Sequence, residues 1–104
     1  MTAIANPMRG EIGLRIAGTD HVLRPSFQAL VAAETEFGSL FALVERAAGG
    51  GLSIAEMAGL IWHCLPAEAR PDRDCIGDEL LAIGLIEATR PVRAIFNQVL
   101  KGQS

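Results

Sequence analysis

The side chains best able to do chemistry in this chain are His63, Cys64 and Cys75, with His21 as the second imidazole. Imidazole and thiolate bind zinc, but a closed zinc site wants four ligands. These three residues offer neither a Cys-x-x-Cys nor a His-x-x-x-His pair. Adjacent residues also diverge by about 100° around a helix, so His63 and Cys64 face different ways. A nucleophile would need Cys64 beside His21 or His63, and nothing in the sequence supplies an orienting third group or an oxyanion hole. Gly49-Gly50-Gly51 does not have the Gly-x-x-x-x-Gly-Lys-Ser/Thr or Gly-x-Gly-x-x-Gly spacing of a phosphate cradle, and reads as a hinge or helix stop. No metal, no cofactor and no catalytic activity are expected.

Binding chemistry is the remaining class. The net charge of −3 argues against a phosphate-binding surface, which needs a basic face to release counterions. Arg90, Arg93 and Lys101 are the one basic cluster, and near a helix C-terminus they complement the dipole. A helix-turn-helix reader fails on its long connection, Pro66 to Pro71. No nucleic-acid partner is therefore expected. Hydrophobic residues make up 50% of the chain, yet no run approaches the roughly 18 residues of a membrane span; the longest, Leu80 to Ile86, reads as a core or interface segment. The start has neither a basic nor a long apolar region, so a cytoplasmic protein is expected, with two free thiols. Protein partners remain. Trp62 is either a core residue or a partner anchor. Val92 and Phe96, with Arg90 and Arg93 as a polar rim, are candidates for a partly exposed binding stripe, against the alternative that their helix simply closes the core.

The elements that must position these groups follow from periodicity. Ile12, Leu14 and Ile16 alternate with Glu11, Gly13 and Arg15, and residues 17–20 turn the chain back through Val22 and Leu23. Everything after Ser26 reads as helix. Ser26 caps a first helix to Phe37 with an inward stripe of Phe27, Leu30, Val31, Glu34 and Phe37, Glu34 lying at its edge or against Arg9 or Arg24. Gly38 closes it, and Ser39 caps a second helix, 40–48. Ser53 and Glu56 have capping-box spacing for a third helix, which Pro66 stops. Residues 67–74 read as a loop, Asp72 as the cap of a fourth helix with Ile76, Leu80 and Ile83 inward, and Gly84 as its end. The last helix is expected from near Thr89, with Pro91 in its first turn and Val92, Ile95, Phe96, Val99 and Leu100 as its stripe. The fold class is α+β: an N-terminal two-stranded antiparallel β-hairpin packed on a bundle of four to five helices. Residues 1–8 are expected to form a flexible lead-in, 9–101 a single domain, and 102–104 a disordered tail.

One stretch adds a resemblance. Asn6-Pro7-Met8-Arg9-Gly10-Glu11, the alternating strand, the Gly18 turn and the helix pattern Phe27-x-x-Leu30-Val31-x-x-Glu34-x-x-Phe37-Gly38 resemble the small gene transfer agent and tailed-phage proteins classed as tail assembly chaperone or tail-tube family members. Leu52-Ser53 and Gly84-Leu85 extend the similarity to about residues 5–100. The resemblance marks Asn6, Pro7, Arg9, Gly10 and Glu11 as family-motif residues. It implies a non-enzymatic, chaperone-like tail assembly protein that binds another tail protein, a tube or tape-measure protein, through apolar helical surface, with oligomers allowed. A structural subunit of the tail tube and an unrelated small regulatory protein-binding module are the alternatives.

Overall fold

The computed structural model describes residues 11–101. The expected lead-in, the motif residues Asn6, Pro7, Arg9 and Gly10, and the 102–104 tail lie outside the described residues. Strands β1 (Ile12–Ile16) and β2 (Thr19–Leu23) pair antiparallel, from Ile12 opposite Leu23 to Ile16 opposite Thr19. Their two-residue turn puts both Ala17 (φ 51°) and Gly18 (φ 82°) in the left-handed region, the geometry that matches strand twist. Glycine takes this freely, whereas Ala17 does so against its own Cβ. Glu11, the one motif residue described, accepts a hydrogen bond from Arg24 Nε at 2.9 Å, tying the open end of the hairpin together.

Five helices follow: α1 (Phe27–Phe37), α2 (Leu40–Ala48), α3 (Ile54–Cys64), α4 (Arg73–Ile83) and α5 (Leu85–Lys101). The serine caps form as their spacing requires. Ser26 Oγ accepts from Ala29 N, Ser39 Oγ from Ala42 N, and Ser53 with Glu56 makes the reciprocal box. Gly38 (φ 95°) turns α1 into α2 at 72°. Glu34 is exposed, as expected of a residue at the edge of the stripe, and its carboxylate accepts from the Leu40 backbone N at 3.0 Å and so caps α2; Arg24 is taken by Glu11.

Helix α3 is the hub, with Met57, Ala58, Leu60, Ile61 and Cys64 buried among α1, α4 and α5. Gly59 lies where α1 crosses, and a Cβ there would overlap the Phe37 ring. Leu23 from the hairpin, Leu43, Ile76, Leu80 and Ile95 complete the core. Among the described residues no single helix is long and apolar enough to cross a membrane.

Four expectations need correction. Helix α5 starts at Leu85, not near Thr89, because the left-handed Gly84 alone suffices to turn the chain; Pro91 therefore stands inside the helix. Part of the expected 67–74 loop is a short 3-10 turn, Ala67–Ala69, and Asp72 begins α4 without a side-chain cap bond. Helix α1 buries Ala33 and packs Ala29, Leu30 and Phe37 on the core, which rotates Phe27 (83% exposed) and Val31 outward. Alanine at position 33 lets α3 approach closely, so the seam follows the small residue rather than the larger ones. Finally, Ile83 does not face inward but is 40% exposed.

Candidate functional site

Two regions collect the residues singled out by sequence. The first is polar. Glu36 in the last turn of α1, His63 near the end of α3 and Arg73 at the start of α4 meet where the three helices converge. The guanidinium holds both carboxylate oxygens, with Arg73 Nη2 2.6 Å from Glu36 Oε1, and His63 Nε2 lies 2.8 Å from that same oxygen. Hydrogen bonding from Arg73, opposed by desolvation, holds the Glu36 carboxyl down at about 2, and the same bond raises Arg73. Trp62, the next residue to His63, is partly buried. The Arg70 guanidinium lies 4.0 Å from the Trp62 ring centroid and that of Arg73 lies 4.4 Å from it, so arginines cover the indole. An open cleft of about 530 Å³ runs beside them, lined by Arg24, Ser26, Trp62, His63, Leu65 and Arg70 among others.

This cluster is a structural clasp in its chemistry. Cys64 is buried, and desolvation pushes its thiol up to about 12, which favours the neutral, packed form of the side chain. Cys75 sits in the first turns of α4 and is half-buried. Among the described residues no group of three or more His, Cys, Asp or Glu side chains comes together. Glu36 was not legible in the sequence as part of this cluster. Its two partners, His63 and Arg73, lie on two other helices, and the crossing of α1 over Gly59 brings them together.

The second region is apolar. Val92 and Phe96 are only 3% and 5% exposed, so of the two readings of their helix the buried one holds, and they help close the core. They do line the floor of a groove of about 260 Å³, together with Leu52, Ile54, Met57 and Leu85, with Arg93 at its rim. Arg90 is exposed and pairs with Glu87 at 3.2 Å. Beside the groove, the α4–α5 corner exposes Leu81, Ile83, Leu85 and Ile86, the last by 88%. Phe27, Val31 and Phe41 form a second exposed apolar group on α1 and α2. The signal for the corner was the Leu80–Ile86 run itself, since so many consecutive apolar residues cannot all turn to one side of a helix.

A family model described as "Phage tail tube protein, GTA-gp10" matches residues 9–102. No curated protein and no solved structure matches the chain.

Proposed function

Given that the chain belongs to this phage tail tube family of gene transfer agents, we propose that it is a non-enzymatic tail assembly protein. In this reading it acts in the cytoplasm, in a gene transfer agent or prophage tail module, and binds a tube or tape-measure protein in a chaperone-like way. The observation that carries the reading is the exposed α4–α5 corner. Leu81, Ile83, Leu85 and Ile86 stand out from the surface next to an apolar groove floored by Val92 and Phe96, with Arg93 at the margin. Isolated exposed apolar residues need no explanation, but a contiguous set beside a groove with a charged rim has the anatomy of a protein-binding surface. Trp62 is then a supporting residue beneath its arginines rather than the anchor.

Co-expression with the tube and tape-measure proteins of the same gene cluster tests this. One of them should co-purify with the unaltered chain and be lost with Ile86→Asp, which removes an exposed contact without opening the core. Retention of the partner by Ile86→Asp and by Leu85→Asp would refute the corner as the binding surface. A second reading, favoured by the words of the family description, is a structural subunit of the tube itself. Mass spectrometry of purified particles separates the two: a tube subunit stays in the particle in many copies, whereas an assembly factor leaves.

A further inference from the structure

Strand β1 has a second edge. The sheet has the order β1-β2 among the described residues, and the two-residue turn makes Ile16–Thr19, Leu14–His21 and Ile12–Leu23 the hydrogen-bonded pairs. The N–H and C=O groups of Gly13 and Arg15 therefore point away from β2. Alongside lies an open trough of about 430 Å³, lined by Ile12, Gly13, Leu14 and Arg15 and, across from them, by Ile83, Glu87, Arg90, Pro91 and Ala94. Successive strand side chains point to opposite faces, so a trough touching four residues in a row runs along the backbone edge. Ile12 and Leu14 are only half-buried by their own chain.

We infer that this edge pairs with β1 of a second copy of the chain, antiparallel about a two-fold axis at Leu14, to give a four-stranded sheet. The register follows from the open groups together with the length of the strand, since a centre on Leu14 overlaps all of Ile12–Ile16. Centring on Leu14 sets Gly13 opposite Arg15 on both sides of the axis, and those are the residues whose backbone donors and acceptors face outward. Ile12 then opposes Ile16, and Leu14 opposes its counterpart. Each arginine meets a glycine instead of another arginine, which avoids the like-charge pair that a centre on Arg15 would create. The half-buried Ile12 and Leu14 of one copy come over the Ile83 and Pro91 wall of the other. Within the chain Arg90 pairs with Glu87 and Arg15 with Asp20, so the trough presents balanced charges of both signs and a second copy meets no uncompensated like charge there. The trough shares Ile83 with the α4–α5 corner but is lined by none of Leu81, Leu85 and Ile86, so the aspartate substitutions that test the corner leave this edge in place.

Sedimentation velocity of the full chain across a concentration series, combined with amide hydrogen exchange, tests the inference. The expected result is a concentration-dependent dimer in which the Gly13 and Arg15 amides become protected as the dimer forms, while those of Ile12 and Leu14 are protected throughout. Arg15→Pro removes one outward N–H and leaves the β1–β2 backbone bonds intact, losing only the exposed side-chain contacts of Arg15 with Asp20 and the Gly18 carbonyl, so it should give a monomer with unchanged circular dichroism. Should that variant fail to fold, the exchange pattern of the unaltered chain decides alone. A chain that is monomeric at every concentration overturns the inference, as does a dimer whose Gly13 and Arg15 amides exchange freely. Protection of those amides in the monomer, or only on adding a tail protein, assigns the edge to another strand and equally overturns it.

Discussion

Replacing Glu36 by glutamine keeps the shape of the side chain and deletes the charge that joins α1 to α3 and α4. In the folded protein the carboxyl lies at about 2 instead of the ordinary 4.5. At about 1.36 kcal/mol per pH unit, that difference would be worth roughly 3.4 kcal/mol in a dry site. The Glu36 and Arg73 side chains are 36% and 37% exposed, however, and solvent screens such a pair. About 1 to 1.5 kcal/mol is the realistic stabilisation for a bidentate contact with a second partner. Because the folded value is depressed, this stabilisation is fully present above the unfolded value and drains away as pH falls from about 4.5 through about 2. Urea denaturation of the two proteins, measured from neutral pH to about pH 2, should therefore give curves about 1 to 1.5 kcal/mol apart near pH 7 that converge in acid. Taking the difference between the proteins removes the parallel contribution of Glu56, whose carboxyl is also lowered, first by the Ser53 backbone N–H. A gap that stays constant into acid would mean that the amide disturbs packing and that the charge stabilises nothing. No gap at neutral pH would mean that the ion pair only offsets its own desolvation.

Three further substitutions probe the frame. Gly59→Ala drives a methyl into the Phe37 ring at the α1–α3 crossing and should cost about 1 to 3 kcal/mol; an unchanged melting temperature would show that the crossing has room. Phe96→Ala should cost about 3 to 5 kcal/mol, given its 5% exposure, and a nearly intact melting curve would return Phe96 to the surface. Ala17→Asn relieves a left-handed alanine and creates the Asn-Gly turn that this geometry favours, so it should raise stability by about 0.5 to 1 kcal/mol, read as a higher urea midpoint.

Much of the frame is written in short-range signals. Ser26, Ser39 and Ser53 cap because a hydroxyl can reach the backbone N–H three residues on, and Ile12, Leu14 and Ile16 face one way because strand side chains alternate. What the sequence alone does not determine depends on contacts between elements. The close approach of α1 to α3 selects Ala33 for the seam, whereas a hydrophobic stripe drawn from residue size alone selects Phe27. Pro91 reads as a first-turn residue, but Gly84 turns the chain first, so α5 starts at Leu85, four residues before Thr89. For the same reason Glu36, which holds the polar clasp, had no local signature. The part of the resemblance carried by Asn6, Pro7, Arg9 and Gly10 lies outside the described residues, and Glu11 shows a fastening role through Arg24.

Gly84 is the whole connection between α4 and α5, and its N–H is bonded to the carbonyls of Leu80 and Leu81. Leu81 and Ile83 on one side, and Leu85 and Ile86 on the other, therefore ride on helical backbone right up to a single residue. Ordering a flexible side chain or loop on association ordinarily costs about 0.5 to 1.5 kcal/mol per side chain, with backbone entropy in addition. At this corner the backbone share of that loss has already been taken during folding. A partner docking at the corner as proposed would meet a rigid wedge, with more of the free energy of covering these four residues left to appear as affinity.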